Sequence, residues 1–263
     1  MPSEPLFVEE RRRAILEQLK QFGRVSVKAL SEAMNVSTVT IRQDLRALEE
    51  VGLLERTYGG AVRKIGDSGA LLELSFEVRN KRARYAKELI GAFAATLVKD
   101  GYSIALDAST TAYAIVPHLK NLGKITLVTN SLIIAQSFLD SPNVQVLVPG
   151  GRLRRDSVSL VGRTEGLPDI NLNIGFFGAR GISFVGGISE TDPDEVAMKQ
   201  AMLARCLTKV IIADGSKWGH VATYTFATPQ QINRIITTAE APVELVEQFR
   251  HEGVQVDVLN VDD

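Results

Sequence analysis

From residue 100 onwards, short runs of aliphatic residues alternate with stretches that have helical periodicity. The aliphatic runs are SIAL, ITLV, VQVLV, IGFFG, KVIIA, RIITT and VQVDVL, and segments such as TAYAIVPHL and LIIAQSFL separate the first of them. Strands that alternate with helices in this way predict a mostly parallel sheet whose faces are covered by helices. We therefore expect an α/β fold for this part of the chain.

Composition limits the class of protein. With 263 residues, of which 45% are hydrophobic and 23% charged, the chain is expected to form about two globular domains. No run of roughly 18 apolar residues is present, and the N terminus is charged where a secretory signal would be apolar, so we expect a cytoplasmic protein with no membrane partner. The formal net charge of −1 argues against a general DNA-coating protein, which would be strongly basic.

Cysteine and histidine usage gives no sign of a disulfide or a metal site. Cys206 is the single cysteine and cannot form an intramolecular disulfide. The three histidines, His118, His220 and His251, are scattered without metal-ligand spacing. We expect no structural metal.

Three short helices are expected in the first fifty residues. In EERRRAILEQLKQFG, apolar residues recur near helical spacing as far as Gly23, which suits a helix stop. A second helix is expected from Ser26 to Met34, followed by a tight turn at Asn35. The third begins at Ser37 with an N-cap hydroxyl. Its apolar face carries Ile41, Leu45 and Leu48. This arrangement predicts a helix-turn-helix.

The third helix leaves polar side chains on its other faces, and these suit a DNA groove. Arginine binds guanine edges or phosphate, glutamine binds adenine edges, and threonine hydroxyls bind phosphate oxygens. We expect Asp44 to pair with an arginine and not to face DNA. An ordinary solvated face is the alternative interpretation for Arg42 and Arg46.

A hairpin is expected directly after this helix. The segment VGLLERTYGGAV has two short β-prone stretches around Gly59-Gly60, as a wing requires. This wing favours DNA binding over the solvated-face interpretation. The predicted DNA-contacting residues are Ser37, Thr38, Thr40, Arg42, Gln43, Arg46, Arg56 and Tyr58.

The domain boundary is expected after the wing. Residues 63–75 (RKIGDSGALLELS) have no clear period, and FEVRNKRARYAKELIGAFAATLVKDG then begins a long amphipathic helix. We predict a winged helix-turn-helix domain over residues 1–62, a linker over 63–78 and an α/β effector-binding domain over 79–263.

Polar loops follow four of the predicted strands. In parallel sheets, ligands bind beyond the carboxyl ends of the strands. Hydroxyls, helix amides, close backbone approach and cations are the groups that bind phosphate. Each loop alone could be a cap or a turn, but together they favour a phosphorylated ligand. The loops are Asp107-Ala108-Ser109-Thr110-Thr111, Thr129-Asn130-Ser131, Gly150-Gly151-Arg152 and Asp214-Gly215-Ser216-Lys217.

Charged residues near these loops are more ambiguous. Asp192-Pro193-Asp194-Glu195 has the residues of a helix start, so capping explains it better than catalysis. Lys199 could pair with Glu195 at i, i+4, or it could carry its ammonium to a phosphate. In the basic cluster of Arg152, Arg154 and Arg155, we expect Arg152, which adjoins the glycines, to enter the site.

Residues 8–62 resemble the DeoR family of regulators. The resemblance rests on Arg11, Ile15, Leu19 and the pattern Ser37-x-x-Thr40-Ile41-Arg42-Gln43-Asp44-Leu45. Residues 79–240 resemble the sensor domain of the same family, through VTNS, GGRLRR, NIGFFGARGI, DPDEVAMKQAM and IADGSKWG. Such domains are similar to sugar-phosphate isomerases and bind phosphorylated sugars or polyols.

Three residues depart from the family pattern. Tyr58 stands where the family often has histidine, and Ser109 stands where a glycine is usual. Arg180 replaces a small or hydroxylated residue, and it could add a positive group suited to a second acidic function of the ligand.

The leading hypothesis is a repressor of a carbohydrate or polyol operon that binds double-stranded operator DNA and responds to a phosphorylated sugar or polyol. We expect no catalytic residues and no cofactor. One recognition helix reads too few base pairs for genomic specificity, so we expect a homodimer or homotetramer. The expected effector-binding residues are Asp107, Ser109, Thr110, Thr111, Thr129, Asn130, Ser131, Gly150, Gly151, Arg152, Arg180, Lys199 and Lys217.

Two other hypotheses stay open from the sequence. One is an enzyme of the sugar-phosphate isomerase or deaminase type with an accessory DNA-binding domain. In that case Asp107 or Glu195 would be the base, with Lys199 or Lys217 as its electrostatic partner. The other is a regulator governed by a protein partner.

Overall fold

The computed structural model of the protein describes residues 8–50, 53–62 and 76–260. The chain divides into two compact units between Leu74 and Ser75. Residues 63–75 lie outside the described residues, so their assignment as a linker stays a prediction. Within the described ranges, no helix is both long enough and apolar enough to cross a membrane.

The N-terminal unit is a three-helix domain with a small sheet. The elements are α1 (Val8–Phe22), β1 (Arg24–Ser26), α2 (Val27–Ala33), α3 (Thr38–Glu50), β2 (Glu55–Thr57) and β3 (Gly60–Val62). The strands form an antiparallel sheet in the order β1-β3-β2. The three helices and the wing hairpin were expected. Strand β1, which adds a third member to the wing sheet, was not.

Local side-chain chemistry sets the ends of these elements. Ser26 Oγ accepts a hydrogen bond from Ala29 N at 3.1 Å, and Ser37 Oγ accepts one from Thr40 N at 3.1 Å, so each serine caps the start of a helix. Gly60 lies so close to β1 that a Cβ atom there would be 2.1 Å from the carbonyl oxygen of Val25. Only glycine allows the two strands to pair at this point.

An aliphatic core and one buried ion pair hold this unit together. Ile15, Leu30 and Ile41 are fully buried in the core cluster, and each such side chain contributes about 1.5–3 kcal/mol by burial. Asp44 is 2% exposed, and its carboxylate lies 2.5 Å from Arg11 Nε and 3.1 Å from Arg12 Nε. The prediction that Asp44 pairs with an arginine is therefore confirmed.

The C-terminal unit contains the expected alternation of strands and helices. Its helices are α4 (Phe76–Lys81), α5 (Arg84–Ala95), α6 (Thr110–Tyr113), α7 (Val116–Leu119), α8 (Leu132–Gln136), α9 (Pro193–Leu203) and α10 (Val243–His251). Its strands are β4 (Ser103–Leu106), β5 (Ile125–Thr129), β6 (Val144–Leu147), β7 (Arg152–Arg154), β8 (Ser159–Val161), β9 (Leu172–Gly178), β10 (Gly181–Ser183), β11 (Gly187–Glu190), β12 (Cys206–Ile212), β13 (Tyr224–Ala227), β14 (Arg234–Thr238) and β15 (Gln255–Leu259).

One parallel sheet organises this unit. Among the described residues it has seven strands in the order β15-β14-β12-β9-β4-β5-β6, and every pairing is parallel. Successive residues of a strand point to opposite faces. Phe176 and Phe177 of β9 accordingly lie in two different core clusters, so the sheet is covered on both sides. The predicted α/β fold is confirmed.

The long amphipathic helix expected after residue 75 is divided in two. Ala83 has a left-handed φ of 46° between α4 and α5. The Lys87 ammonium folds back and donates hydrogen bonds to the carbonyl oxygens of Arg79 and Arg82, which satisfies backbone acceptors that a helix end leaves unpaired. Residues 76–78, which we assigned to the linker, are instead the start of α4. Phe76 anchors this helix by packing edge-on against Tyr113.

Two insertions interrupt the alternating pattern, and neither was predicted. Strands β7 and β8 form an antiparallel hairpin, and strands β10, β11 and β13 form a separate antiparallel sheet. The hairpin is fixed next to the end of β5, because Leu132 N donates to Val158 O at 3.0 Å and Leu160 N donates to Asn130 O at 2.8 Å. Both insertions therefore bring extra polar residues towards the carboxyl ends of the strands.

We predict that Asp44→Asn lowers the free energy of unfolding of the N-terminal unit by about 3–5 kcal/mol, the usual cost of breaking a buried ion pair by removing one partner. Chemical denaturation of the full chain, followed by a probe in this unit, measures the loss. Glu49→Gln is the matched control because Glu49 pairs with Arg56 at the surface, and it should cost under about 1 kcal/mol. Equal losses in both variants would contradict the prediction.

Candidate functional site

The outer face of α3 presents polar side chains. Thr38, Arg42, Gln43 and Arg46 are exposed, whereas Ile41, Asp44, Leu45 and Leu48 are buried. Ser37 and Thr40 join their hydroxyl groups at 2.8 Å. Ser37 and Thr40 therefore form the start of the helix, and the longer side chains of Arg42, Gln43 and Arg46 make up its exposed face.

The wing and α3 line a common cleft. Arg56 Nε lies 3.8 Å from Glu49 Oε2, and the Arg56 amide donates to Glu49 Oε1 at 3.1 Å, so the wing is tied to the end of α3. Tyr58 is fully exposed at the hairpin turn. A cleft of about 590 Å³ is lined by Arg42, Arg56 and Tyr58, among others. Helix and wing therefore present cations and an aromatic ring to one concave surface.

The four polar loops follow β4, β5, β6 and β12, whose carboxyl ends lie at one edge of the sheet. Several of the hydroxyl groups in these loops already accept hydrogen bonds from backbone amides. Ser109 Oγ accepts from Ala112 N at 3.1 Å, Ser131 Oγ from Ile134 N at 3.2 Å, and Thr129 Oγ1 from Ser131 N at 3.1 Å. Thr110 and Thr111 are buried at the start of α6. The helix starts are thus capped from within the chain.

Lys199 lies at the centre of a buried ion cluster at this edge. Its ammonium is 3.1 Å from Asp107 Oδ2 and 2.9 Å from Glu190 Oε2, and it donates to Gly178 O at 2.7 Å. Its side chain is 3% exposed. The i, i+4 pair with Glu195 that we considered is replaced by these contacts, because α9 directs the lysine towards β4, β9 and β11.

The cluster fixes the protonation state of its members. Burial by itself would raise the pKa of Glu190, but Lys199 and Arg180 lower this pKa to about 2. Burial likewise opposes the charge of Lys199, but Glu190 and Asp107 raise its pKa above the ordinary value. Asp107 Oδ2 also accepts from Gly178 N at 2.8 Å. Glu190 and Lys199 therefore hold each other in the charged form.

The two departures from the family pattern in this domain have structural partners. Arg180 Nε lies 3.2 Å from Glu190 Oε1, so its charge joins the ion cluster. Ser109 packs on Gly178, where an added Cβ would lie 2.4 Å from Ser109 Cβ. Its amide donates to Asp107 Oδ1 at 3.1 Å. The serine thus ties the first loop to β9.

Glu195 holds the β7–β8 hairpin against α9. Its Oε1 accepts hydrogen bonds from Ser157 Oγ at 2.8 Å and Ser159 Oγ at 2.7 Å, and it lies 3.7 Å from Arg154 Nη1. Asp192, the residue that begins this helix, accepts from the amides of Asp194 and Glu195 at 3.0 Å each. The capping interpretation of this segment is confirmed, and the contacts of Glu195 with the hairpin were not foreseen.

The basic cluster on the hairpin is arranged opposite to our expectation. Arg152, which we expected to enter the site, has a side chain that is 66% exposed and pairs with Asp194. Arg154 is the buried member, and its Nε lies 3.2 Å from Asp192 Oδ2. Strand alternation does not separate the two arginines, because they lie two residues apart in β7 and so share a face. They differ in their partners: Arg154 lies against Asp192 and Glu195, whereas Arg152 pairs with Asp194 at the surface. Gly151 adopts a φ of 148° where a Cβ would lie 2.5 Å from Val161 O.

Two cations near the site escaped the sequence analysis. Arg79 of α4 donates to Asp156 O at 3.3 Å. Burial lowers its pKa to about 10, Arg180 acts in the same direction, and Glu190 opposes the change. Lys87 of α5 is 6% exposed. Its pKa falls to about 8, chiefly through burial, with Lys217 and Arg79 among the nearby cations that contribute.

A periodicity signal could have found Lys87. It shares the buried face of α5 with Ile90, Gly91 and Ala94, at the i, i+3, i+4 and i+7 positions of an apolar stripe. A charged residue in an apolar stripe is unusual, because a buried ammonium needs hydrogen-bond acceptors. This position could therefore have been singled out from the sequence. Arg79 carried no comparable signal, because the break at Ala83 redirects α4.

The fourth loop contributes Lys217 to the same neighbourhood. Asp214 Oδ1 accepts from Ser216 N at 3.1 Å, and Lys217 Nζ donates to Ser216 Oγ at 3.1 Å. Both Asp214 and Lys217 influence the charge of Lys87. The site therefore has a cationic side around Lys87 and Lys217. On its other side the carboxylates are paired with cations, Glu190 with Lys199 and Arg180 and Glu195 with Arg154.

Comparison with known families matches both units. Residues 11–64 match the DeoR-like helix-turn-helix domain, and residues 82–239 match the DeoR C terminal sensor domain. The chain is 36% identical over 236 residues to the uncharacterized HTH-type transcriptional regulator YgbI of Escherichia coli K12, which covers 89% of this chain and 91% of that protein.

Other relatives align over nearly their full length. The HTH-type transcriptional repressor GlcR of Bacillus subtilis is 31% identical, with 98% of this chain and 99% of that protein covered. The glycerol-3-phosphate regulon repressor of Escherichia coli K12 is 27% identical, with 95% and 98% covered. Among solved structures, ribose 5-phosphate isomerase A of Methanocaldococcus jannaschii matches with a TM-score of 0.38 and 17% identity, covering 50% of this chain and 53% of that one.

We predict that the ion cluster makes the stability of the C-terminal unit sensitive to acid. The pKa of Glu190 is about 2 in the folded protein against an ordinary value of 4.5. Its stabilising contribution, about 3 kcal/mol, is therefore complete above pH 4.5 and is lost as the pH falls from 4.5 through 2. Denaturation of wild type and Glu190→Gln at several pH values should show a smaller loss for the variant in this window. Glu88→Gln at an exposed pair is the control, and equal pH profiles for wild type and Glu190→Gln would overturn the prediction.

Proposed function

The chain belongs to the DeoR family of transcriptional regulators, and we propose that it is a repressor whose affinity for operator DNA is set by a phosphorylated sugar or polyol. The N-terminal unit contacts DNA through α3 and the wing, and the C-terminal unit binds the effector. Two relatives, GlcR and the glycerol-3-phosphate regulon repressor, are named as repressors, which supports that choice. The name of the second also supports a phosphorylated ligand.

The buried ammonium of Lys87 is the observation that carries the effector proposal. In the described part of the chain it donates to two backbone carbonyls, and no carboxylate lies within ion-pair distance. A buried cation without an ion-pair partner is unfavourable. Asp214 is the charge that acts most strongly on Lys87 and favours its charged form, whereas Lys217 and Arg79 add positive charge around it. A bound phosphate supplies the missing negative charge. Lys199, in contrast, is already neutralised by two carboxylates, so its part in the site is to position Asp107 and Glu190.

The DNA-binding proposal rests on the face of α3. Its exposed side chains are those that bind base edges and phosphates, and the cleft shared with the wing adds Arg56 and Tyr58. One recognition helix reads only a few base pairs, so operator specificity requires a symmetric homodimer or homotetramer. An effector that binds the two conformations of such an oligomer with different affinity changes operator affinity by about 5- to 150-fold for a coupling of about 1–3 kcal/mol.

The competing hypothesis of an isomerase or deaminase is less well supported. A general base needs a carboxylate oxygen that can reach a proton on the substrate. Asp107 is held by Lys199 and two backbone amides, and Glu195 is held by two serine hydroxyls and faces Arg154. Turnover of a sugar-phosphate panel by the purified protein would overturn the assignment as a regulator without catalytic activity.

We predict that Arg42→Ala and Arg46→Ala weaken binding to a DNA site selected by the protein from a random pool. A lost base contact should cost about 1–3 kcal/mol and relax the preference at one base pair. A lost phosphate contact should weaken all sequences alike and reduce the slope of log affinity against log salt by about 0.9. Fluorescence anisotropy at several salt concentrations distinguishes the two effects. Arg84→Ala, an exposed arginine of the other unit, should leave both quantities unchanged, and unchanged binding by both α3 variants would argue against this DNA-binding face.

We predict that phosphorylated sugars or polyols change the affinity of the wild-type protein for this DNA at fixed salt. Lys87→Gln should abolish the response, because it removes the buried charge that attracts the phosphate. Lys217→Gln should weaken binding of the effector about fivefold or more, because it removes one hydrogen bond from a charged donor. Lys209→Gln is the control, since Lys209 lies within β12 before the carboxyl end. A full response in Lys87→Gln would contradict the proposed phosphate position.

A further inference from the structure

Asn130 follows β5 and lies completely buried at the carboxyl edge of the sheet. Its side-chain nitrogen donates to Leu160 O at 3.3 Å and faces Glu195 Oε2 at 3.5 Å. Its side-chain oxygen, Oδ1, is buried and has no hydrogen-bond partner among the described residues. This oxygen is the only such buried side-chain atom in the described part of the chain.

The orientation of the amide is fixed by its neighbours. Exchange of its oxygen and nitrogen would turn an acceptor towards the carbonyl of Leu160 and the carboxylate of Glu195, and both existing contacts would become repulsive. The unpartnered atom is therefore an acceptor. An unpaired buried acceptor is unfavourable, so its natural partner is a group that donates a hydrogen bond.

The chemistry around Oδ1 restricts what that donor can be. A phosphate dianion offers only acceptor oxygens and would be repelled by Oδ1. A hydroxyl group donates a hydrogen bond, so it can satisfy this acceptor. The cationic side, with Lys87 and Lys217, takes the anion. The two sides thus match the two ends of a phosphorylated polyhydroxy compound.

We propose that Asn130 Oδ1 accepts a hydrogen bond from a hydroxyl group of the effector, so that Asn130 selects the hydroxylated ligand over its deoxy form. This inference rests on the proposed function, and it changes the role first expected for the second loop. Asn130 reads the sugar or polyol part of the ligand and makes no contact with its phosphate. The backbone carbonyl of Asn130 already fixes the hairpin through Leu160 N, and Oδ1 is the acceptor of this residue that lacks a donor.

The experiment compares ligands before it compares variants. The full-length protein is titrated by calorimetry with inorganic phosphate, sn-glycerol 3-phosphate, D-ribose 5-phosphate and D-glucose 6-phosphate. The sugar or polyol phosphate that binds most tightly is then compared with its monodeoxy analogues, one for each hydroxyl. At least one analogue should bind about tenfold more weakly, the effect of one hydrogen bond to a buried polar group.

Variants then assign that loss to Asn130. Asn130→Ala should bind the parent compound and the critical analogue equally, while its affinity for inorganic phosphate stays that of wild type. Asn130→Leu, which keeps the shape of the side chain, serves as a second variant if the alanine protein does not fold. Asn173→Ala is the matched control, because Asn173 Oδ1 already accepts from Ser103 N at 2.8 Å at the opposite end of the sheet. It should keep the full tenfold discrimination.

Three results would overturn the inference. If all the analogues bind wild type as tightly as the parent, a buried water satisfies Oδ1 and no ligand hydroxyl does. If the Asn130 variants keep the discrimination, another residue provides it. If they lose affinity for inorganic phosphate, Asn130 is an anion contact. Absence of binding by every compound, inorganic phosphate included, is a different result, which would reject the proposed function and this inference with it.

Discussion

The ion cluster around Lys199 is the interaction on which the architecture of the sensor site depends. One ammonium joins Asp107 at the end of β4, Gly178 at the end of β9 and Glu190 at the end of β11. It reaches them from α9, so a helix, two strands of the main sheet and a strand of the small sheet meet at one charge. Because the three acceptors come from distant parts of the chain, the cluster can form only when the sheet order is correct.

The rest of the site follows from this neutralised centre. With Lys199 already paired, the cations that would attract an anion are Lys87 and Lys217, while Arg79 acts on Lys87 and on Glu190 and Glu195. Glu195 and its serine partners hold the β7–β8 hairpin on the other side and leave the oxygen of Asn130 as an unmatched acceptor. The cations Lys87 and Lys217 and the unpaired acceptor of Asn130 fit a ligand with a charged end and a hydroxylated end.

Local sequence signals gave reliable predictions for features that depend only on residues close together in the chain. Helix caps such as Ser37 and Asp192, the wing turn at Gly59-Gly60 and the aliphatic runs of the parallel strands all depend on neighbours within a few residues. The same reasoning failed at Ala83, where the chain has no glycine or proline, because the break is stabilised by Lys87 from the next turn of helix. It also exchanged Arg152 and Arg154, because the hairpin was not recognised and the groups that bury Arg154, Asp192 and Glu195, come from a distant helix.

The sequence by itself determined the two units, the parallel α/β character of the larger one and the loops in which the site lies. These features depend on residue periodicity and on the residues at strand ends, which short segments of sequence contain. Only the tertiary structure decided the role of each polar residue in those loops. Whether Lys199 meets a ligand or Asp107 and Glu190, and whether Asn130 keeps an unpaired oxygen, depend on residues from other elements of the fold. The capping of α6 by Ser109 is, in contrast, a local contact with Ala112. Charges and hydrogen bonds act over a few ångströms, and folding alone determines which distant groups come within that range.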